Sequence, residues 1–482
     1  MIQKFYENTR KEMGKIMKKK VKIMILVLVI FLIYIVVGML IPFMHRQSVS
    51  EEYKNQIKIS DFYGDSLKNG PDRAKIIENN QEALNLRLSM IQRAKKEIIL
   101  STFDIREGSS TTDIFSALVV AAKRGVKVKI LVDGLYGTLH MNGKDIFQAV
   151  GSESNIEIRF YNTPNLLKPW TIHGCLHDKY LITDHQYLLM GGRNTFDYFL
   201  KNRENGSMGL DREILIYNTG KESESAVGQV KTYFRKIWKL DVCKTKFDRW
   251  SKEKRAAEIQ RLIEHEKQLD VPEIDYEKET VSTKKATLVT NPTHIYGKEP
   301  YVWETMKQLM LNADKRVLIH TPYAVFSDEM YEGMAQIHEK IPNTKIILNS
   351  IASGDNICAS ADYMKNKQNI VDTGAEIYEY MGKHSTHGKS LVIDDDIAVV
   401  GSYNFDCRST YVDTEAMLVV HGKEITEQLE EKLNALKNDA LAVDGQGKYI
   451  KNGDTKERIL DKDKGRLIRI LSYVIQGFRY LV

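Results

Sequence analysis

Cysteine is scarce in this chain, with four in 482 residues. Cys175, Cys243, Cys358 and Cys407 show no paired close spacing, so neither a zinc site nor a dense disulfide framework is indicated. Most of the chain also lacks excess charge. The formal net charge is +6, but the first 22 residues hold eight basic side chains against Glu7 and Glu12 and carry all of it. A folded domain that grips nucleic acid normally carries its own positive charge. Here the charge sits in a tail, so no nucleic-acid partner is expected. With 43% hydrophobic and 28% charged residues, extended disorder is excluded for most of the chain. The length fits two similar domains, or a fused pair, better than one small core.

One stretch lacks charge altogether. Ile23 to Phe43, IMILVLVIFLIYIVVGMLIPF, is 21 residues long. At ~1.5 Å per residue it reaches roughly 30 Å, the thickness of a bilayer core. It has no polar face, is longer than a signal-peptide core and ends at no small-residue cleavage site. It therefore reads as a retained transmembrane helix. The basic cluster before it places the N-terminus in the cytosol and the rest of the chain on the far side of a cell membrane. At the other end, GRLIRILSYVIQGFRYLV lines up Leu467, Ile470, Leu471, Val474, Phe478 and Leu481 on one helical face, with Arg466, Arg469, Gln476 and Arg479 opposite. Such a helix suits a membrane surface, and equally a terminal helix packed on its domain.

Between these ends the chain repeats itself. A helix ending near Ala94 leads to a strand over Ile98–Thr102, and a helix ending near Ala313 leads to a strand over Val317–Thr321. Each half continues through an apolar strand (126–133, 344–350) and a further short strand (156–161, 375–380). Strands alternating with helices predict an α/β fold, and the duplication predicts two sheets related by a pseudo-two-fold. The organisation expected is a basic cytosolic tail (1–22), a transmembrane helix (23–43), a lead-in (44–74), a first half (75–220), a helical linker (221–285), a second half (286–440) and a C-terminal segment with an amphipathic helix (441–482).

Each half carries one spaced motif. His177 begins H-D-K-Y-L-I-T-D, followed after six residues by G-G-R-N at 191–194. His387 begins H-G-K-S-L-V-I-D, followed after six residues by G-S-Y-N at 401–404. Both fit H-x-K-x4-D-x6-G-[GS]-x-N. In a strand, residues two apart share a face, so His177 projects with Lys179 and His387 with Lys389. Glycine turns then let the backbone approach an anion, and Asn194 and Asn404 offer amide donors. Two imidazoles, two ammonium groups and two amides suit a phosphodiester.

The paired motifs resemble those of the phospholipase D superfamily over roughly residues 75–440. Within it, ITDHQYLLMGGRNTFDYF, the TPY at 321–323 and GSYNFDCRS at 401–409 are similar to bacterial cardiolipin synthases. The resemblance implies two duplicated halves, each a mixed β-sheet flanked by helices, acting on phospholipid substrates beside the bilayer. It also implies a two-step reaction without cofactor or metal. One imidazole attacks phosphorus and the other moves protons, while the lysines and amides offset charge on the phosphoryl oxygens. By that analogy His177 is the nucleophile and His387 the acid/base. A nucleophilic imidazole needs an acceptor on its far nitrogen. Glu213 in DREILIY and Glu415 in DTEAMLVV occupy matching places and are assigned to orient His177 and His387; Asp211 and Asp413 compete with them. Asp184 and Asp394 lie an odd seven positions after their histidines, on the opposite strand face, and are expected to hold the turn. Cys175 and Cys407 read as small buried side chains. Arg193, Arg408 and Ser409 are read as touching substrate or as structural. Trp170 and Tyr323 are read as lining an entrance or as core.

Overall fold

The computed structural model describes the chain except for residues 203–205, 248–251 and 452. It contains two nine-stranded mixed sheets. In the first, the order across the sheet is Val281–Ser282, Asp72–Ile77, Glu213–Asn218, Tyr187–Gly191, Tyr180–Thr183, Glu97–Thr102, Lys127–Asp133, Ile156–Tyr161, Cys243–Lys246. In the second it is Lys285–Thr290, Ala416–His421, Ile397–Gly401, Ser390–Ile393, Val317–His320, Thr344–Asn349, Glu376–Tyr380, Ala440–Val443, Tyr449–Ile450. The three strands of each βαβα run pair in parallel, and the motif strands pair antiparallel with their neighbours. The duplication predicted from the sequence is therefore a duplication of topology.

The sequence explains the layering. The motif strands Tyr180–Thr183 and Ser390–Ile393 are buried at every residue, as apolar strands covered on both faces must be. Ile182, Leu188 and Ile214 of one sheet share a core with Val392, Ala398 and Leu418 of the other, together with the helices Ala226–Trp238 and Lys423–Asn438. On the outer faces, helices such as Asn80–Arg93 and Ser109–Lys123 cover the first sheet, and Tyr301–Leu311 and Asp328–Lys340 the second.

The stretch read as a linker is woven into the first sheet. Besides the helices Ala226–Trp238 and Lys252–Glu266 and the single turn Tyr276–Glu279, it supplies both edge strands, Cys243–Lys246 against Ile158–Tyr161 and Val281–Ser282 against Arg73–Ala74. These strands are short and polar, which the apolar-run criterion passes over. The first strand of the first half also begins before residue 75, at Asp72.

At the N-terminus one helix runs from Ile2 to Met44, so the basic tail and the apolar span form a continuous rod. Asn8–Met44 is the one candidate membrane span among the described residues. The C-terminal helix Lys462–Val474 packs on the domain through Ile468 and Ser472, with Ile475 following, rather than through the face expected. Leu467, Ile470 and Val474 are left exposed, because the apolar side chains cover more than one stripe.

Candidate active site

The two motif histidines are held at the seam between the halves. A short parallel pair, Gly209–Leu210 with Ser385–Thr386, leads into His387, whose amide donates to the Leu210 carbonyl at 2.6 Å. On the other side Leu176 bridges Thr414, and the His177 amide donates to the Thr414 hydroxyl at 3.0 Å. Each histidine is thus pinned by backbone from the opposite half. The expected pairing of side chains is present: Lys179 Nζ reaches the His177 carbonyl at 2.5 Å, and Lys389 Nζ reaches the His387 carbonyl and lies 2.8 Å from its ring nitrogen Nδ1. All four side chains are buried. Aromatic rings wall them in, with Phe103 5.0 Å from the His177 ring and Phe199 5.1 Å from the His387 ring.

The imidazole acceptors cross between halves. His177 Nδ1 lies 2.7 Å from Glu415 Oε1, and His387 Nδ1 lies 2.6 Å from Asp211 Oδ2. This corrects the same-half assignment. Glu415 serves His177 rather than His387, and Asp211 takes the place given to Glu213. Glu213 itself is fully buried against Arg87 at 2.5 Å and Arg193 at 3.2 Å. The reason is register. Gly191 pairs with Glu213, while Gly401 pairs with Met417. Counting from the equivalent glycines makes Asp211, not Glu213, the counterpart of Glu415. The likeness of D-R-E to D-T-E is a coincidence two residues out of step. Asp413, the other alternative, is bound by Arg408 at 2.9 Å.

Burial sets the electrostatics. Together with Lys179 it holds His177 well below the ordinary histidine pKa, and His387 and Lys389 act on His177 in the same direction. The two motifs therefore share one site electrostatically. Burial, then Lys389, lowers His387 too, with Asp211 opposing. Burial brings Lys179 to about 7 and Lys389 to about 8. It also raises Glu415 to about 7. In Asp211 burial pushes upward as well, but His387 and Lys389 prevail and hold it at about 2.

The remaining motif residues divide by role. Asp184 and Asp394 adopt left-handed backbone, φ 54° and 51°. Asp184 accepts the amides of Lys95, Lys96 and Glu97 at 2.7–2.9 Å, and Asp394 those of Asp314, Lys315 and Arg316 at 2.7–3.1 Å. At ~3.3 Å per residue they stand roughly 20 Å along the strand from their histidines. They clamp the turn to the neighbouring strand and touch no reacting group. Asn194 accepts the Asp104 amide at 3.2 Å through Oδ1, and Asn404 donates to Ser409 at 3.3 Å, leaving its own buried Oδ1 unpartnered. Arg193 is structural, tying the carbonyls of Phe199 and Asp211. Arg408 binds the His173 carbonyl and the buried Cys175 thiol, both at 3.0 Å. Tyr323 lies 6.3 Å from the His387 ring.

Several participants went unnoticed in the sequence. Ser402 donates to Glu415; it is the variable second position of the G-[GS]-x-N element. Arg212 bridges Glu78, Ser390 and His320, and His320 continues to Thr386 beside His387. No local pattern marks a contact between segments a hundred residues apart. Among the described residues His177, Asp413 and Glu415 carry donor atoms within 4.8 Å of one another. Arg408 occupies Asp413 there, and Ser402 and His177 occupy Glu415.

Fold and site together define a phospholipase D-type enzyme. Residues 88–238 and 306–437, more than half of the chain, match the family described as cardiolipin synthase, PLD-like domain, and the chain belongs to that family. Cardiolipin synthase C of Escherichia coli K12 is 24% identical over 439 residues, 80% of this chain and 90% of that protein. Cardiolipin synthase B of Salmonella typhi is 24% identical over 384 residues, 77% of this chain and 82% of its own. The fold is also that of phosphatidylserine synthase from Haemophilus influenzae, with a TM-score of 0.63 at 14% identity, covering 87% of this chain and 96% of that one.

Proposed function

We propose that this chain is a membrane-anchored transphosphatidylase that makes cardiolipin through a phosphohistidine. The observation that carries the reading is the seam itself: two histidine–lysine pairs, one from each half, each with its imidazole acceptor supplied by the other half. The names of the relatives, cardiolipin synthases B and C, support the lipid product. The apolar helix supports an anchor, with the N-terminus cytosolic and the catalytic domain outside.

In the first step the Nε2 lone pair of His177 attacks phosphorus of a bound phospholipid. The bond from phosphorus to the leaving alcohol breaks, and the His387 imidazolium supplies its proton. Lys179, Lys389, Asn194 and Asn404 stabilise the negative charge on the phosphoryl oxygens. In the second step a hydroxyl of another phospholipid gives its proton to His387 and attacks phosphorus, and the phosphorus–nitrogen bond breaks. Water as acceptor gives phosphatidic acid instead. His177 suits the attacking role because its pKa is held low, so it stays neutral with a free lone pair. His387 suits proton transfer because Asp211, held ionised, opposes the lowering by burial and Lys389 and so favours an imidazolium.

The test is lipid analysis of membranes from cells expressing the wild type or His387→Asn. Cardiolipin rising with the wild type alone is the expected result. Phosphatidic acid with free headgroup would replace synthesis by hydrolysis. No lipid change in either would overturn the lipid reading in favour of another phosphodiester, such as nucleic acid.

A further inference from the structure

The segment that leads into His177 climbs along the apolar helix. Three contacts come in order. The Tyr34 hydroxyl donates to the Leu167 carbonyl at 2.8 Å. Gly38 lies so close to the Pro169 ring that an added Cβ would stand 2.5 Å from it. The Phe43 ring meets His173 edge-on at 5.5 Å. Tyr34 is nine residues before Phe43, and at ~1.5 Å per residue that is roughly 14 Å along the helix axis. Half of a bilayer's hydrocarbon core is about 15 Å. With Phe43 at the edge of the core, Leu167 sits deep within one leaflet. Four residues past His173, an extended reach of at most roughly 13 Å, the chain arrives at His177.

The loop tip is built for such a place. Leu166 and Leu167 are 55% and 72% exposed, although the domain has a core in which to bury them. Several polar backbone groups at the tip find partners within the protein, as a hydrocarbon setting favours. The Leu167 amide donates to the Asn165 side chain at 2.9 Å and the Lys168 amide to the Asn165 carbonyl at 2.9 Å. The Leu167 carbonyl takes the Tyr34 hydroxyl, and Pro164 and Pro169 have no amide hydrogen to satisfy. The Lys168 stem lets its charge extend toward the interface.

We infer that residues 163–172 form a wedge that inserts Leu166 and Leu167 among the acyl chains of the leaflet facing the catalytic domain, fixing the height of His177 over the lipid phosphates. The inference rests on the membrane-anchored reading above. The catalytic domain is then docked at a set depth instead of swinging on a tether.

The experiment uses the full chain in proteoliposomes of phosphatidylglycerol and phosphatidylcholine. Cys358, the one exposed cysteine, is replaced by serine, and Leu167→Cys is labelled with an environment-sensitive fluorophore. Lipids spin-labelled near the fifth acyl carbon should quench the label at least twofold, and aqueous iodide should leave it unchanged. Quenching by iodide and not by the lipid overturns the wedge. Alkaline extraction separates the two readings: a chain washed off the vesicles sinks the anchor and the wedge together, whereas a retained chain with an aqueous label sinks the wedge alone. A Leu166→Asp, Leu167→Asp variant should lose at least tenfold in turnover of bilayer lipid while keeping its rate on short-chain lipid dispersed in detergent. An equal loss on both substrates, or no loss on either, also overturns it.

Discussion

The two halves of this site have the same parts and a different balance. At His177 the partner is Glu415, a carboxyl raised by burial to about 7 and shared with Ser402. At His387 the partner is Asp211, held at about 2. Position 402 is serine in one half, whereas the matching position in the other is Gly192. A duplicated fold has thus been given one weakly and one strongly charged acceptor. On the mechanism proposed above, the difference teaches how a symmetric scaffold can divide labour: a neutral imidazole is the better nucleophile, and an imidazole next to a fixed negative charge is the better proton carrier.

The largest effect that breaks the comparison comes from the histidines. His177→Ala and His387→Ala should each reduce turnover of phospholipid by about 10⁴-fold or more, and the double variant by little beyond that, because groups acting as a unit are not additive. An activated phosphodiester with a good leaving group, such as a nitrophenyl ester, separates them. The His387 variant should still form an acid-labile phosphoenzyme in a rapid burst, and the His177 variant should form none. A burst from the His177 variant would exchange the two roles.

Next come the acceptors. Asp211→Asn and Glu415→Gln should each cost about 10²-fold in kcat, with the larger loss at Asp211, since only there is a full charge removed. Steady-state kinetics of the two variants, with unchanged melting temperatures as a control, measures the gap. Glu213→Gln is the contrast. It leaves Arg87 and Arg193 buried without their counter-ion, so it should lower the melting temperature while kcat per folded molecule stays within about twofold.

A smaller effect lies in the pH profile. Lys179 and Lys389 must be charged to stabilise the phosphoryl group, and their pKa values of about 7 and about 8 are depressed. The charged forms are complete below these values and are lost as pH rises through them. The alkaline limb of kcat/KM should therefore fall between pH 7 and 8, well below where an ordinary lysine would place it. Lys389→Arg should move that limb upward while lowering the maximum. A limb that stays in place would show that the lysines do not set it.

The smallest effect should come from the matched clamps. Asp184→Ala and Asp394→Ala each free three backbone amides and leave a left-handed residue without its side-chain contacts. Each should cost about 2 kcal/mol of stability by denaturant unfolding. The two losses should be alike, since here the halves are symmetric, and kcat should be nearly untouched.

Much of this was legible in the sequence. Apolar runs of four to seven residues gave the inner strands to within a residue or two, because burial on both faces demands them. The spaced motif gave both histidine–lysine pairs and both clamping aspartates, because their positions depend on local strand periodicity. The edge strands Cys243–Lys246 and Val281–Ser282 leave no such mark, since partial exposure removes the apolar signal. The acceptors are not legible in the same way, because D-R-E and D-T-E match in letters but not in strand register, and register depends on the partner strand.

The chain by itself determined what it carries: a charge-free span behind a basic head, two copies of one αβ pattern and two copies of one catalytic motif. These follow from composition and spacing, which act over a few turns or one strand. Only the tertiary structure decided which carboxylate faces which imidazole, and which loop leans on the apolar helix. Those choices arise where segments more than a hundred residues apart meet, and no local propensity encodes a meeting of that kind.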